Sequence, residues 1–323
     1  MGDVIHTLPA LTDAVARLPN IQFDWVVEEA FAEIPQWHSA VSEVIPVAIR
    51  RWRKSIFCRS HWQQLQHSLS QIRKRQYDYV IDAQGLIKSA VLTRLARGQR
   101  CGMDYSSCRE AFATIAYQQQ YEINTSLHAI ERNRQLFARV LNYTVPTTEL
   151  DYNTRSLAWG SDVCRNAYLV FVHSASRPEK LWSNQNWVDL ALSTNNHGYQ
   201  VRLVWGNEME RLRSEMIAAK VDNCQVMPQM NLLSIAQLFQ GARAVVAVDT
   251  GLAHLAAAIG VPALTLYFQT LPQLVGTRGQ RQQTMTITSE DSIEHVGSAT
   301  ITAHQVWVKL RCLLRNNLES LQD

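Results

Sequence analysis

The sequence predicts an α/β protein made of two similar domains, and three observations carry that prediction. Short β-rich runs alternate with longer helical patterns along the chain, as βα units around parallel sheets do. Several of those runs are almost continuously apolar, as strands covered on both faces require. Two distant segments also look alike. Tyr79-Val80-Ile81-Asp82-Ala83-Gln84-Gly85 and Val246-Ala247-Val248-Asp249-Thr250-Gly251 each end an apolar run in Asp, with Gly just after. Two α/β domains facing across a central cleft explain the repetition.

The elements follow in order. Thr7–Leu18 reads as a helix, with Leu8, Leu11, Val15 and Leu18 on one face and Pro9 in its first turn. Gly2-Asp3 is then the loop leading into it. An α/β domain normally places a strand before such a loop and none precedes this one, so the expectation is a first domain without its first strand. Strands are predicted at Phe23–Val27, Val44–Val47 and Asp78–Asp82. Asn142–Thr154, with Pro146 and several Thr and Asn, reads as a linker and divides the chain into domains 1–150 and 151–323. Beyond it, strands are predicted at Tyr168–Val172, Gln200–Trp205, Gln225–Met227, Ala244–Val248 and Ala263–Tyr267. A last helical stretch covers Ala303–Leu318.

Composition narrows the class. With 323 residues, 46% hydrophobic and 18% charged, the chain can bury two cores and is not a disordered polymer. Its six cysteines form no CxxC pair, which excludes a zinc knuckle or thioredoxin-like site and suits a reduced, cytoplasmic protein. Met1-Gly2-Asp3-Val4 has neither the basic nor the apolar region of a signal peptide. Gly251–Phe268 approaches membrane-spanning length but is broken by Gly260-Val261-Pro262 and carries His254. The expectation is a soluble protein, at most attached to a membrane surface.

The net charge of +3 conceals a concentration. Between Arg50 and Arg75 lie eight basic residues and no acid, while the rest of the chain holds 23 basic against 28 acidic residues. Such a block attracts polyanions or an anionic membrane, although a solvated basic helix face has the same composition. No RNA or DNA motif accompanies it, so no nucleic-acid partner is expected.

Three further segments can carry chemistry. Val246–Ala258 is a buried strand ending at Asp249 and followed at once by a helix. Ligands of open α/β sheets bind at such strand ends, and the free N–H groups of a helix start suit a diphosphate. A capping Asp249 and a packed core His254 explain the same spacing. Val172–Trp182 follows another strand end, where Ser hydroxyls can hold phosphate or ribose oxygens and Lys180 can neutralise a leaving phosphate. An exposed lysine in a solvated loop is the plainer reading. Asp3, at a helix start beside His6, can act as a general base or merely as a cap.

Together these segments resemble the lipopolysaccharide heptosyltransferases of glycosyltransferase family 9. The matching runs are GDVIHTLPALTDA, FDWVVEE, VIPVAIRRWRK, YDYVIDAQGLIKSA, GMDYSSCRE, HAIER, KLWSNQNW, VWGNEMER and VDTGLAHLAAA, in that order along nearly the whole chain. VIPVAIRRWRK resembles the branch that acts on Kdo₂-lipid A rather than the one that acts on an already heptosylated acceptor.

The resemblance implies a GT-B fold of two Rossmann-like domains facing a central cleft. The first would bind the acceptor and the second the donor, ADP-L-glycero-β-D-manno-heptose, with the final helix packing back across the cleft. It implies an inverting transfer that uses no metal or other cofactor, at the cytoplasmic face of the inner membrane. Carried over by position, Asp3 is the catalytic base and Lys180 supports the leaving group. Ala175, Ser176, Lys180, Glu210, Met230, Asp249, Thr250, Gly251 and His254 fall on donor positions, Ala175 where the family can carry Thr. Arg50, Arg51, Arg53, Lys54 and Arg109 fall on basic acceptor positions. The family begins with a strand and a Ser-rich turn that this sequence lacks. The alternatives are the branch that acts on an already heptosylated acceptor and, if the missing strand is real, an inactive sugar-nucleotide-binding protein.

Overall fold

The computed structural model describes residues 1–52, 59–154, 167–287 and 301–319. Arg53 and Lys54 lie outside the described residues. The chain forms two compact units, Asp3–Leu157 and Ala158–Asp323.

The first unit opens with α1 (Gly2–Arg17), and here the sequence reading needs correction. Gly2-Asp3 is the first helical turn, not a loop, and Pro9 lies inside the helix. Asp3 in the first turn and Arg17 in the last complement the helix dipole. The buried face of Val4, Ile5, Leu8 and Leu11 holds the helix although Pro9 cannot donate to the Ile5 carbonyl.

β1 (Phe23–Glu28) and β2 (Val41–Val47) form one parallel pair. A second parallel sheet contains β3 (Gln76–Asp82), β4 (Arg97–Met103) and β5 (Gln119–Tyr121). β4 and β5 are absent from the sequence reading. Arg97-Gly98-Gln99-Arg100 and Gln119-Gln120 have little strand propensity, and β4 is held by pairing on both sides, to β3 and β5. Around these strands lie α2 (Arg59–Lys74), α3 (Ile87–Leu95), a 3₁₀ helix (Ala111–Ala116) and α4 (Ala129–Leu141).

The second unit contains β6 (Tyr168–Val172), β7 (Gln200–Leu203), β8 (Cys224–Val226), β9 (Ala244–Val248), β10 (Ala263–Tyr267) and β11 (Gln282–Thr286). They form one sheet in the order β11-β10-β9-β6-β7-β8, with every pairing parallel. That is the strand order of a doubly wound dinucleotide-binding sheet, with its switch point between β6 and β9. β6, β9 and β10 are buried throughout, so their apolar runs end where the sequence places them. β7 stops two residues earlier than expected, and the polar strand β11 was not foreseen.

α5 (Asn184–Asn195), α6 (Glu208–Ala218), α7 (Leu232–Gln240) and α8 (Gly251–Ala258) complete the βα units. The last helix, α9 (Ala303–Glu319), packs on α5. Val306, Trp307 and Leu310 join Trp187 and Val188 in the same core, and the Trp182 indole N–H donates to the Ile301 carbonyl at 2.7 Å. Among the described residues, no helix is long and apolar enough to cross a membrane.

Candidate active site

In the second unit, the switch point places two strand ends side by side. β9 ends at Val248, and Asp249 follows with only 8% of its side chain exposed. The loop after β6 brings back Lys180, whose Nζ donates to Asp249 Oδ2 at 2.6 Å. The Thr270 hydroxyl donates to the same oxygen. Thr250 occupies the N-cap of α8 without capping it through its side chain, and Gly251 is the first helical residue. The result is a partly exposed cation beside a helix start whose N–H groups are not taken by a side chain. Phosphate oxygens are recognised by such a pairing.

The other donor candidates occupy the same carboxyl edge of the sheet. Ser176 is exposed in the loop after β6, and Ala175 is half-buried against the core. Glu210 lies in the first turn of α6, after β7. Its carboxylate accepts from the Gly206 amide at 2.7 Å and from Asn207 Nδ2 at 2.8 Å, so it fixes the β7–α6 loop as well as facing it. Met230 is half-buried between β8 and α7. His254 is buried one turn into α8.

Beneath this edge, His173 is fully buried and hydrogen-bonded to the hydroxyls of Ser214 (2.7 Å) and Ser174 (2.9 Å). Burial, helped by the nearby Arg213 charge, pushes its pKa down to about 3, so the ring is neutral.

In the first unit, an open cavity is lined by Asp3, His6, Gln84, Arg109, Arg132 and Asn133, among others. Arg109 grips Asp3 with two hydrogen bonds, Nη2 to Oδ1 at 2.8 Å and Nη1 to Oδ2 at 3.1 Å. Both side chains remain well exposed, so the pair is accessible to a ligand. Asp3 and Arg109 were separate candidates in the sequence, and the fold joins them across more than a hundred residues.

Arg132 was not singled out, although it closes the run HAIER. Its Nη2 donates to the Ser107 carbonyl and to Met103 Sδ, while its Nε is buried without a partner. Burial and the like charge of Arg109 lower its pKa. Two guanidinium groups at one cavity favour an anionic ligand. The place of Arg132 at the end of the run HAIER is the signal the sequence offers, and tertiary packing completes it by setting α4 against β4.

The basic block is used unevenly. Arg51 pairs with Glu29 and donates to Gln64. The Arg50 guanidinium lies 5.6 Å from the Phe31 ring centroid. Arg75 is spent on Asp24 and Glu43, and Asp24 also accepts from Tyr77. Part of the block is therefore a structural fastening of β1 and β2. Among the described residues, no group of three or more His, Cys, Asp or Glu is placed to hold a metal ion.

Comparison with known proteins gives these features a family. The model of glycosyltransferase family 9 (heptosyltransferase) matches residues 65–301. Lipopolysaccharide heptosyltransferase 1 of Salmonella typhimurium is 46% identical over 284 residues, spanning 87% of this chain and 90% of that protein. The solved structure of E. coli heptosyltransferase WaaC with ADP superposes with a TM-score of 0.89 at 41% identity, covering 97% of both chains. The same enzyme with ADP-2-deoxy-2-fluoro heptose gives 0.85 at 41% identity, covering 96% of both.

Proposed function

The chain belongs to glycosyltransferase family 9, the heptosyltransferases, and from that premise we propose that it moves L-glycero-D-manno-heptose from ADP-heptose to Kdo₂-lipid A in lipopolysaccharide inner-core biosynthesis. The observation that carries the donor half is the Lys180–Asp249 pair at the start of α8. The acceptor half rests on Asp3 in a cavity with two guanidinium groups, suited to the carboxylates of an acidic sugar.

The chemistry is one in-line displacement. An acceptor hydroxyl oxygen bonds to the anomeric carbon as the bond from that carbon to the diphosphate breaks, which inverts the centre. The hydroxyl proton passes to the Asp3 carboxylate, and the electron pair of the broken bond leaves with ADP. The transition state is oxocarbenium-like, so proton transfer is late and a carboxylate base suffices. Charge developing on the diphosphate is met by Lys180 and the N–H groups of α8, which takes the place of a divalent metal in this reading. Arg109 orients Asp3 through both carboxylate oxygens. The site of action is the cytoplasmic face of the inner membrane.

Purified protein, ADP-heptose and Kdo₂-lipid A should yield ADP and a product heavier by one heptose. Asp3→Ala should lower turnover roughly 10²–10⁴-fold with ADP binding unchanged, the usual share of general base catalysis. EDTA should leave the rate unaltered. Transfer only to a heptosylated acceptor would replace the acceptor assignment, and no transfer despite ADP-heptose binding would favour the inactive sugar-nucleotide-binding protein.

A further inference from the structure

Beside the cavity, the first unit exposes apolar side chains that its own core does not use. α3 and the 3₁₀ helix Ala111–Ala116 pack through small residues, with Ala90 and Ala113 buried together against Tyr117. Ile87 and Val91 flank Ala90 on α3, one turn apart, and are 50% and 54% exposed. Phe112 and Ile115 are three residues apart on the 3₁₀ helix, hence on one edge of it, and are 74% and 81% exposed. The Ile87 amide donates to Glu110 Oε2 at 2.6 Å, which sets the start of α3 against the start of the 3₁₀ helix. Four large apolar side chains thus stand on two elements packed side by side.

Cations accompany them. Lys88 and Arg94 are exposed on α3, and neither has an ion pair or hydrogen bond to another described residue. The acid closest to the apolar face in sequence, Glu110, is engaged by the Ile87 amide. Apolar side chains interspersed with unpaired cations are the composition of a surface that enters the headgroup layer of an anionic membrane.

Position supplies the last link. Gln84, three residues before α3, and Arg109, two before the 3₁₀ helix, both line the cavity that holds Asp3. The apolar face therefore begins where the cavity wall ends. An acceptor sugar carried on a lipid can reach Asp3 only if the cavity mouth is near the bilayer.

We propose that Ile87, Val91, Phe112 and Ile115, with Lys88 and Arg94, form the face by which this protein docks on an anionic lipid bilayer, bringing the cavity mouth to its membrane-borne acceptor. The proposal rests on the lipid-linked acceptor of the preceding section, but its first test does not.

That test is co-sedimentation with phosphatidylethanolamine vesicles, with and without phosphatidylglycerol. The unaltered protein should bind the mixed vesicles, less so at high salt. The double variant F112S/I115S should lose about tenfold or more of that binding, because two large apolar side chains no longer leave water. K88Q/R94Q should lose the dependence on phosphatidylglycerol. The second test compares heptose transfer to Kdo₂-lipid A embedded in vesicles with transfer to the same acceptor deacylated and in solution. F112S/I115S should fall about tenfold on the embedded acceptor and be unchanged on the soluble one.

Vesicle binding equal to the unaltered protein would overturn the proposal. So would equal losses on both acceptors, which would place these side chains in the sugar site. A change from dimer to monomer with vesicle binding intact would also overturn it, since a second copy would then be the occupant. Failure of the unaltered protein to use either form of the acceptor would overturn the acceptor reading instead, leaving the vesicle result to decide the docking face.

Discussion

Asp82 and Asp249 occupy the same place in two look-alike segments, each at the end of a parallel strand and just before a glycine, yet they have opposite surroundings. Asp82 accepts from the amides of Gln84 (2.9 Å) and Gly85 (3.1 Å), from Ser89 Oγ (2.8 Å) and from the Tyr117 hydroxyl (2.7 Å). Three of these donors lie within seven residues of Asp82, and the fourth, Tyr117, reaches it from the far end of the 3₁₀ helix. Gly85 has φ +61°, and a Cβ there would come 2.6 Å from Cys108 Sγ, so the tight turn that Asp82 ties down requires glycine. Asp249 instead accepts from a lysine side chain and a threonine hydroxyl, beside a helix start with no side-chain cap. One aspartate closes its loop and the other leaves its loop open to a ligand.

The units around them differ in the same sense. Among the described residues, the second unit has one continuous six-stranded sheet with a large apolar cluster against it. Among the described residues, the first has two separate ladders, and polar ties such as Asp13 with Arg134 and Asp24 with Arg75 join its elements. A polar, less continuous core places charged groups around a cavity, whereas the apolar sheet holds Lys180 and Asp249 together at its edge.

The largest effect expected from this contrast is on Asp249. Asp249→Ala should leave Lys180 unoriented and lower transfer about 10²–10³-fold, the scale of losing one electrostatic support of a transition state. Steady-state kinetics and ADP titration check this, and an unchanged ADP affinity would make Asp249 structural like Asp82. Asp82→Ala should do the reverse. It removes a buried acceptor and strands several donors, costing about 3 kcal/mol of stability, seen as faster hydrogen exchange in the first unit while ADP affinity holds. A stable Asp82→Ala protein with impaired donor binding would erase the distinction.

A smaller effect is one of pH, and both units share it, since burial also lowers the pKa of His38 in the first unit, to about 4. The His173 pKa is depressed in the folded state by burial, so the unfolded chain takes up the proton first as pH falls. Stability from the neutral ring is full above about pH 6.5, its ordinary pKa, and declines as pH drops toward about 3. Urea midpoints of the second unit should show that decline, and His173→Asn should flatten it. The smallest effect belongs to the basic block. Breaking the exposed Arg51–Glu29 pair with Glu29→Gln should change stability by less than about 1 kcal/mol, while freeing Arg51 for an anionic acceptor. A lower acceptor KM in that variant would support an acceptor role for Arg51, and a raised one would show that Glu29 positions it.

Legibility followed the physics of each element. β6, β9 and β10 were readable because both faces are buried and no polar residue is needed along them. The start of α1 was misread because Pro9 looks like a first-turn residue, and only the buried face of Val4 and Ile5 shows the helix beginning earlier. β4, β5 and β11 were invisible because their residues are polar or glycine-rich and become strands only through their neighbours.

The sequence by itself determined the α/β class, the apolar strands, the family and most candidate residues, since these depend on local pattern and residue type. It could not join Asp3 to Arg109 or bring Arg132 to the same cavity, because those contacts span more than twenty to a hundred residues and are made by packing α1 against α4 and β1, and α4 against β4. Nor could it separate Asp82 from Asp249. Both present an acid at a strand end, and only the tertiary structure decides whether the donors around that acid tie its loop shut or leave room beside a helix start.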